Sequence, residues 1–206
     1  MNKTLLLKVK EIYYSLQGEG GRSGEASIFI RLAGCNMSCS FCDTDFTGGE
    51  DMRLPDILGK INKYPCKWIV WTGGEPTLQL NDDIVAYFKA AGFKQAIETN
   101  GSNVTPLDLD YIACSPKVDV KTLESSFLFR CVDEFRYPIG RDMEQSIPLI
   151  SDLPHAIHYF LSPLFIGIPH EKLYTDKGNI QYAIDTIKRY PEWKLSIQIH
   201  KLINIK

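Results

Sequence analysis

Residues 26–34, ASIFIRLAG, alternate: Ser27, Phe29 and Arg31 share one face, and Ile28, Ile30 and Leu32 share the other. That period of two is the signature of a β-strand. Short apolar runs at 66–74 (CKWIVWTGG), 94–101 (KQAIETNG), 111–116 (YIACSP), 133–140 (DEFRYPIG) and 157–163 (IHYFLSP) predict further strands, with Pro138 marking a strand end. Between them the spacing changes. Residues 54–64 carry apolar positions near helical spacing, and 81–92 predict a helix capped by Asn81 or Asp82 and stopped by Gly92. Residues 179–190 predict another helix, with Ile180, Ala183, Ile184 and Ile187 on one face. KLSIQIHK (194–201) alternates again and predicts a closing strand whose polar face, Ser196, Gln198 and His200, turns inward.

Strands alternating with helices predict an α/β fold around a parallel sheet. The stretch from 101 to 111 is too short for a full crossover helix. The expected architecture is therefore an incomplete, trimmed (β/α) barrel with about six core strands and few helices. A single domain over 1–206 suits this length. In such folds the working face lies at the C-terminal ends of the strands. Cys35, Gly73–Gly74, Asn100 and Ser115–Lys117 each fall just after a predicted strand.

Composition narrows the setting. A net charge of −2 excludes a general binder of nucleic acid or acidic membrane. No apolar run approaches the ~20 residues that span a bilayer, and MNKTLLLKVKEIYY breaks after three leucines, unlike a secretory signal. The expected address is the cytoplasm, where thiols stay reduced and six cysteines do not make a disulfide framework. Cys66, Cys114 and Cys131 are scattered and read as small buried hydrophobes.

The other three, Cys35, Cys39 and Cys42, crowd into AGCNMSCSFCDTDF (33–46). A closed zinc site would need a fourth ligand from afar, such as Cys66 or His170. A redox dithiol would use Cys39 and Cys42 and leave Cys35 spare. A 4Fe–4S cluster on three thiolates would leave one iron open to an exogenous ligand. WTGGEP (71–76), read by itself, is a glycine turn that opens a helix at Glu-Pro. Two glycines also let backbone approach a ligand that a Cβ would block.

The CxxxCxxC and GGEP motifs, on consecutive predicted strands, resemble the radical S-adenosylmethionine (SAM) enzymes. In order along nearly the whole chain, SLQGEGGRSG (15–24), IFIRLAGCNMSCSFCDT (28–44), TGGEP (72–76), IETNG (97–101), SPK (115–117) and HKLINI (200–205) resemble the 7-carboxy-7-deazaguanine synthase family. The resemblance implies a lyase of queuosine and 7-deazapurine biosynthesis. It would convert 6-carboxy-5,6,7,8-tetrahydropterin to 7-carboxy-7-deazaguanine through a 5′-deoxyadenosyl radical, with ring contraction and loss of ammonia.

The same resemblance implies site residues. Cys35, Cys39 and Cys42 would hold the 4Fe–4S cluster, and Thr44 would give an oxygen to Mg²⁺. Phe41, Cys42, Asp43, Gly74, Ser115, Pro116, Lys117 and Ser162 would contact SAM. Leu16, Gln17, Gly18, Arg31 and Thr72, with Glu19 and His200, would contact substrate. It also implies an external electron donor of flavodoxin or ferredoxin type. A homodimer is the expected assembly.

Elementary chemistry supports several of these. An Arg31 inside a barrel is costly without an anion, and a guanidinium grips a carboxylate through two bonds; an internal salt bridge is the alternative. Gln17 can both donate to and accept from a pterin edge. Thr44 by itself would read as a turn or cap. His155, His158 and His170 show no ligand spacing and read as structural or surface residues.

Two departures stand out. Ser162-Pro163 replaces a Gln-Pro common in the family, and the family's C-terminal proline segment has no counterpart here, so that substrate contact is expected to be missing or otherwise supplied. Two other readings share the cysteine motif. One is an activating enzyme of a glycyl-radical protein, which would not need LQGEG or a metal at Thr44. The other is a non-enzymatic iron–sulfur or zinc module.

Overall fold

A computed structural model describes residues 5–127, 131–143, 147–165 and 177–206. In chain order the elements are β1 (Leu6–Leu16), β2 (Ala26–Leu32), β3 (Glu50–Arg53), α1 (Leu54–Ile61), β4 (Trp68–Gly73), α2 (Asp82–Ala90), β5 (Lys94–Thr99), β6 (Tyr111–Cys114) and α3 (Val120–Ser126). They continue with β7 (Val132–Ile139), β8 (Ala156–Pro163), α4 (Lys177–Arg189), β9 (Lys194–Leu195) and α5 (Ile199–Leu202). All nine strands form one sheet, ordered β3-β1-β2-β4-β5-β6-β7-β8-β9. β1 runs antiparallel to β2 and β3, and every other neighbouring pair is parallel. β2 and β4 to β8 are the six core strands that the pattern predicts.

The alternation of each strand divides the molecule into two cores. Outward residues such as Ile28, Ile30, Leu32, Ile69, Trp71, Ile97 and Phe135 join Ile57 and Ile61 of α1 and Ile84 and Phe88 of α2 in one cluster. Inward residues Phe29, Val70 and Ala96, flanked by Tyr13, Trp68 and Tyr111, make a second, smaller apolar layer. Local signals set the helix ends. Asn81 Oδ1 accepts from Ile84 N at 3.0 Å to cap α2, and Gly92 leaves it with φ of +84°.

The sheet curls until the loop after β1 meets the segment after β9, with no strand pair between β1 and β9. Ser196 Oγ accepts from Gly20 N at 2.9 Å, and Ile199 N donates to Gly18 O at 3.0 Å. This closure corrects the predicted strand over 194–201. β9 pairs with β8 only at Lys194 and Leu195. Beyond that the backbone turns to fill the gap beside β1, and His200 lies in α5. Tertiary contacts override the β-propensity of the Ile-rich segment. β1, β3 and α3 have no counterpart among the predicted elements.

The scattered cysteines also need correcting. Cys114 is fully buried, but Cys66 is only half-buried and Cys131 is exposed, 3.6 Å from His155 Nδ1. Cys66 donates to Ala26 O at 3.0 Å, at the start of β2. Cys35 follows the end of that strand, roughly 20 Å away at strand rise. Cys66 therefore cannot complete a zinc site with it. His170 lies outside the described residues.

Candidate active site

The three cysteines occupy the loop that leaves β2. Gly34 N donates to Phe46 O at 2.9 Å, closing the base of this loop, and Cys42 N donates to Cys39 O at 3.1 Å inside it. All three thiols are free, with Cys42 exposed and Cys35 and Cys39 half-buried. Burial raises the Cys39 thiol above its ordinary value, while the Lys117 ammonium pulls it down. Among the described residues no three Cys, His, Asp or Glu side chains converge on one ion-sized site. A four-iron cluster spreads its thiolates more widely than a single ion does.

The loop after β4 is stitched to this one. Gly74 N donates to Leu32 O at 3.2 Å and Glu75 N to Gly34 O at 3.0 Å. A Cβ on Gly74 would overlap the Gly34 carbonyl oxygen, so only glycine allows the two backbones to meet. Gly73 adds φ of +126°, which side chains rarely adopt.

Glu75 is 1% exposed and bound to protein on both oxygens. Oε1 accepts from Thr77 N (3.1 Å), Thr77 Oγ1 (2.6 Å) and Thr99 Oγ1 (2.8 Å), and Oε2 from Asn100 N (2.7 Å). It thus starts the short 3₁₀ turn Pro76–Leu78 and fixes the end of β5. Asn100 in turn donates to Asn36 Oδ1 at 3.0 Å, beside Cys35.

The loop after β6 completes the rim. Ser115 N donates to Thr99 O (2.8 Å) and Lys117 N to Asn100 O (3.0 Å). Lys117 Nζ donates to Ser115 O (2.9 Å) and Oγ (2.8 Å) and stands 5.4 Å from the Phe41 ring centre. Burial pulls this ammonium below the ordinary lysine value, and no carboxylate among the described residues pairs with it. Ser162 Oγ, on the inward face of β8, is buried without a hydrogen-bond partner. An unpaired cation, an orphaned hydroxyl and three free thiols at one rim fit a cluster and a ligand bearing a carboxylate.

Asp43 forms an ion pair with Lys201 of α5. Partial burial would raise the Asp43 carboxyl, but the Lys201 ammonium wins and holds it below the ordinary carboxylate range. Thr44 Oγ1 is 3.4 Å from Asp43 Oδ1.

Below the rim lies a polar layer, above the apolar Phe29–Val70–Ala96 plug. Arg31 stands opposite Thr72 across β2 and β4. Its Nε donates to Glu11 Oε1 at 2.8 Å and its Nη2 to Tyr13 Oη at 3.2 Å. The internal salt bridge is thus present, although Arg31 keeps partial exposure. Lys206 also pairs with Glu11.

Gln17 is buried and donates to Glu98 Oε1 at 2.8 Å, while its own Oε1 accepts from Gly18 N at 2.8 Å. A Cβ on Gly18 would overlap the His200 ring, so the imidazole rests directly on that glycine. Burial pulls His200 below its ordinary value, with Glu19 opposing. Leu16, the last residue of β1, pairs with Ala26 and is exposed, so its side chain lies off the inward face.

Three residues of this layer escape sequence reading. Glu98, Glu134 and Arg136 sit inward on β5 and β7. Arg136, 5% exposed, donates Nη1 to Glu19 Oε2 at 2.9 Å and Nη2 to Glu98 Oε2. Glu134 Oε2 accepts from Gly21 N (2.6 Å) and Tyr111 Oη (2.8 Å). Arg136 Nε lies 2.9 Å from Glu134 Oε1 but out of line for a hydrogen bond, and its charge is already shared with Glu19 and Glu98. Burial therefore prevails and lifts Glu134 to about 7. The available signal was the strand period, which puts these three charges on the inward face of a covered sheet.

Known proteins give this arrangement a family. A profile of the Radical SAM superfamily matches residues 29–124. The chain is 37% identical over 203 residues to the 7-carboxy-7-deazaguanine synthase of Bacteroides thetaiotaomicron, covering 98% of this chain and all of that one. It is 34% identical to the Neisseria meningitidis protein of the same name, over 97% and 94% of the two chains. The crystal structure of QueE from Escherichia coli superposes with a TM-score of 0.69 at 24% identity over 94% of each chain, a likeness of fold. With a cysteine loop, glycine loop and polar interior arranged as above, and with relatives matched end to end, this chain belongs to the 7-carboxy-7-deazaguanine synthase family of radical SAM enzymes.

Proposed function

We propose that the site binds 6-carboxy-5,6,7,8-tetrahydropterin in the polar layer beneath the cysteine loop and converts it to 7-carboxy-7-deazaguanine. One observation carries this reading. Gln17, Glu19, Arg31, Thr72 and Glu98 form a polar shelf between an apolar plug and the cofactor rim. A flat ring with a carboxylate at one end and an amino-oxo edge at the other matches that shelf.

Cys35, Cys39 and Cys42 would hold a 4Fe–4S cluster, which with SAM supplies the electron and the radical that begin the reaction. Gly74 clears the path for cofactor backbone contacts. Lys117 neutralises a carboxylate, while Ser115, Pro116, Phe41 and Asp43 shape the wall and Ser162 offers its free hydroxyl. Arg31 is the partner for the substrate carboxylate, which competes with Glu11 for the guanidinium. Gln17, Glu19 and His200 face the ring, and Gly18 lets His200 come close. Thr44 contributes an oxygen to Mg²⁺, a hard ion content with few protein ligands and several waters.

We read the 206 residues as one domain, working in the cytoplasm as a homodimer and reduced by a flavodoxin- or ferredoxin-like donor. No described helix is long and apolar enough to cross a membrane. Relatives matched over their whole length favour this reading over a glycyl-radical activating enzyme. The distance of Cys66 from the cysteine loop disfavours the zinc module.

The test is anaerobic turnover of the reconstituted protein with SAM, Mg²⁺, reductant and carboxytetrahydropterin. Product of the mass of 7-carboxy-7-deazaguanine is expected. 5′-Deoxyadenosine without that product would reject the substrate while keeping the radical chemistry.

A further inference from the structure

We propose that Arg136 is a positioning residue that sets ring specificity: by bridging Glu19 and Glu98 it fixes two carboxylates as readers of a 2-amino-4-oxopyrimidine edge. This rests on the reading of the site as a pterin pocket.

The bridge joins distant parts of the chain, the loop after β1 and strand β5, through one planar fork on β7. Each carboxylate is also held from its other side. Gln17 donates to Glu98 Oε1 and Gln198 donates to Glu19 Oε1. Every one of the four oxygens therefore carries one protein bond and keeps a second lone pair. A carboxylate oxygen presents the ring with acceptors and no donor. A 2-amino-4-oxopyrimidine offers adjacent N–H donors at its exocyclic nitrogen and N3. A 2,4-dioxo ring offers a carbonyl at C2 instead, which would face a carboxylate oxygen and repel it.

Lysine keeps the charge at 136 but cannot bridge two carboxylates with a planar fork. The test compares pterin-6-carboxylate with lumazine-6-carboxylate as ligands of the wild-type holoenzyme, and both tetrahydro forms as substrates of wild type and Arg136→Lys. Wild type is expected to bind the pterin about 10- to 100-fold more tightly, the worth of a charge-assisted hydrogen bond. Arg136→Lys is expected to raise KM for the natural substrate about tenfold and to shrink the pterin preference by a similar factor. Circular dichroism and the urea midpoint of the variant report that it is folded.

Equal binding of the two ligands by wild type overturns the proposal, and needs no variant to fold. An unchanged preference in a folded Arg136→Lys overturns it as well, leaving the arginine a structural tie. Wild type that binds pterin selectively but yields no 7-carboxy-7-deazaguanine would instead fault the assigned reaction, so the two failures are distinguishable.

Discussion

Glu75 in the GGEP motif is the most heavily bonded carboxylate of the rim, and replacing it with glutamine tests whether the motif acts first as scaffold. The wild-type group accepts four bonds from neutral donors, three on Oε1 and one on Oε2, at 1% exposure. A glutamine can put its oxygen where Oε1 was. Its NH₂ then confronts Asn100 N–H, donor against donor, at a site where the bond was 2.7 Å long. The flipped amide is worse, because it turns away three donors. The better arrangement loses one charge-assisted bond and orphans a backbone N–H, at about 3 kcal/mol together. With an m value of about 2 kcal/mol per M in urea, the unfolding midpoint falls by about 1.5 M. The damage should travel, because Asn100 steadies Asn36 beside Cys35. Iron retained after reconstitution should therefore fall along with stability. Urea titration followed by circular dichroism, with iron counted per chain, makes the check. A midpoint shift below about 0.3 M with full iron content would refute the scaffold role and return Glu75 to the ligand.

Gly74→Ala should lower the urea midpoint and sharply reduce SAM binding, because the loop must retreat from the Gly34 carbonyl and give up its backbone bonds to Leu32 and Gly34; urea titration and cofactor titration of the reconstituted protein measure it. Glu134 has a folded-state value near 7 against an unfolded 4.5, raised by burial, so its neutral form stabilises the fold. That contribution is complete below pH 4.5 and drains away as pH rises to about 7, by about 3 kcal/mol in all. Glu134→Gln should flatten the decline, and urea midpoints between pH 5 and 8 would expose an identical slope in both proteins as a contradiction. Thr44→Ala should abolish stimulation of turnover by Mg²⁺ while sparing 5′-deoxyadenosine release; retained stimulation would remove Thr44 from the metal.

The parts of the fold legible in sequence are those where local pattern and burial agree. β2 alternates cleanly because one face meets the helices and the other the barrel interior, and α2 carries its own cap and stop. The segment at 194–201 misleads because its alternation is real while its hydrogen-bonding partner runs out after two residues. Even so, Ser196, Gln198 and His200 point inward as the pattern requires, since the segment lies across the same interior. The cofactor loops were readable as motifs because each is contiguous. The Glu19–Arg136–Glu98 bridge was not, because it exists only after curvature brings three separate segments together.

Residues 196–206 wall the site by touching partners 158 to 195 positions earlier in the chain. During synthesis the cysteine loop emerges long before that wall. At roughly 5–20 residues per second the interval is roughly 10–30 s. Within that window the partners of the cysteine loop in the loops after β4 and β5 are synthesised, while the substrate shelf lacks one side. Cluster loading and pocket closure are thus separable in time, because the cysteine loop is open to iron donors and to oxygen alike until residues 196–206 fold across.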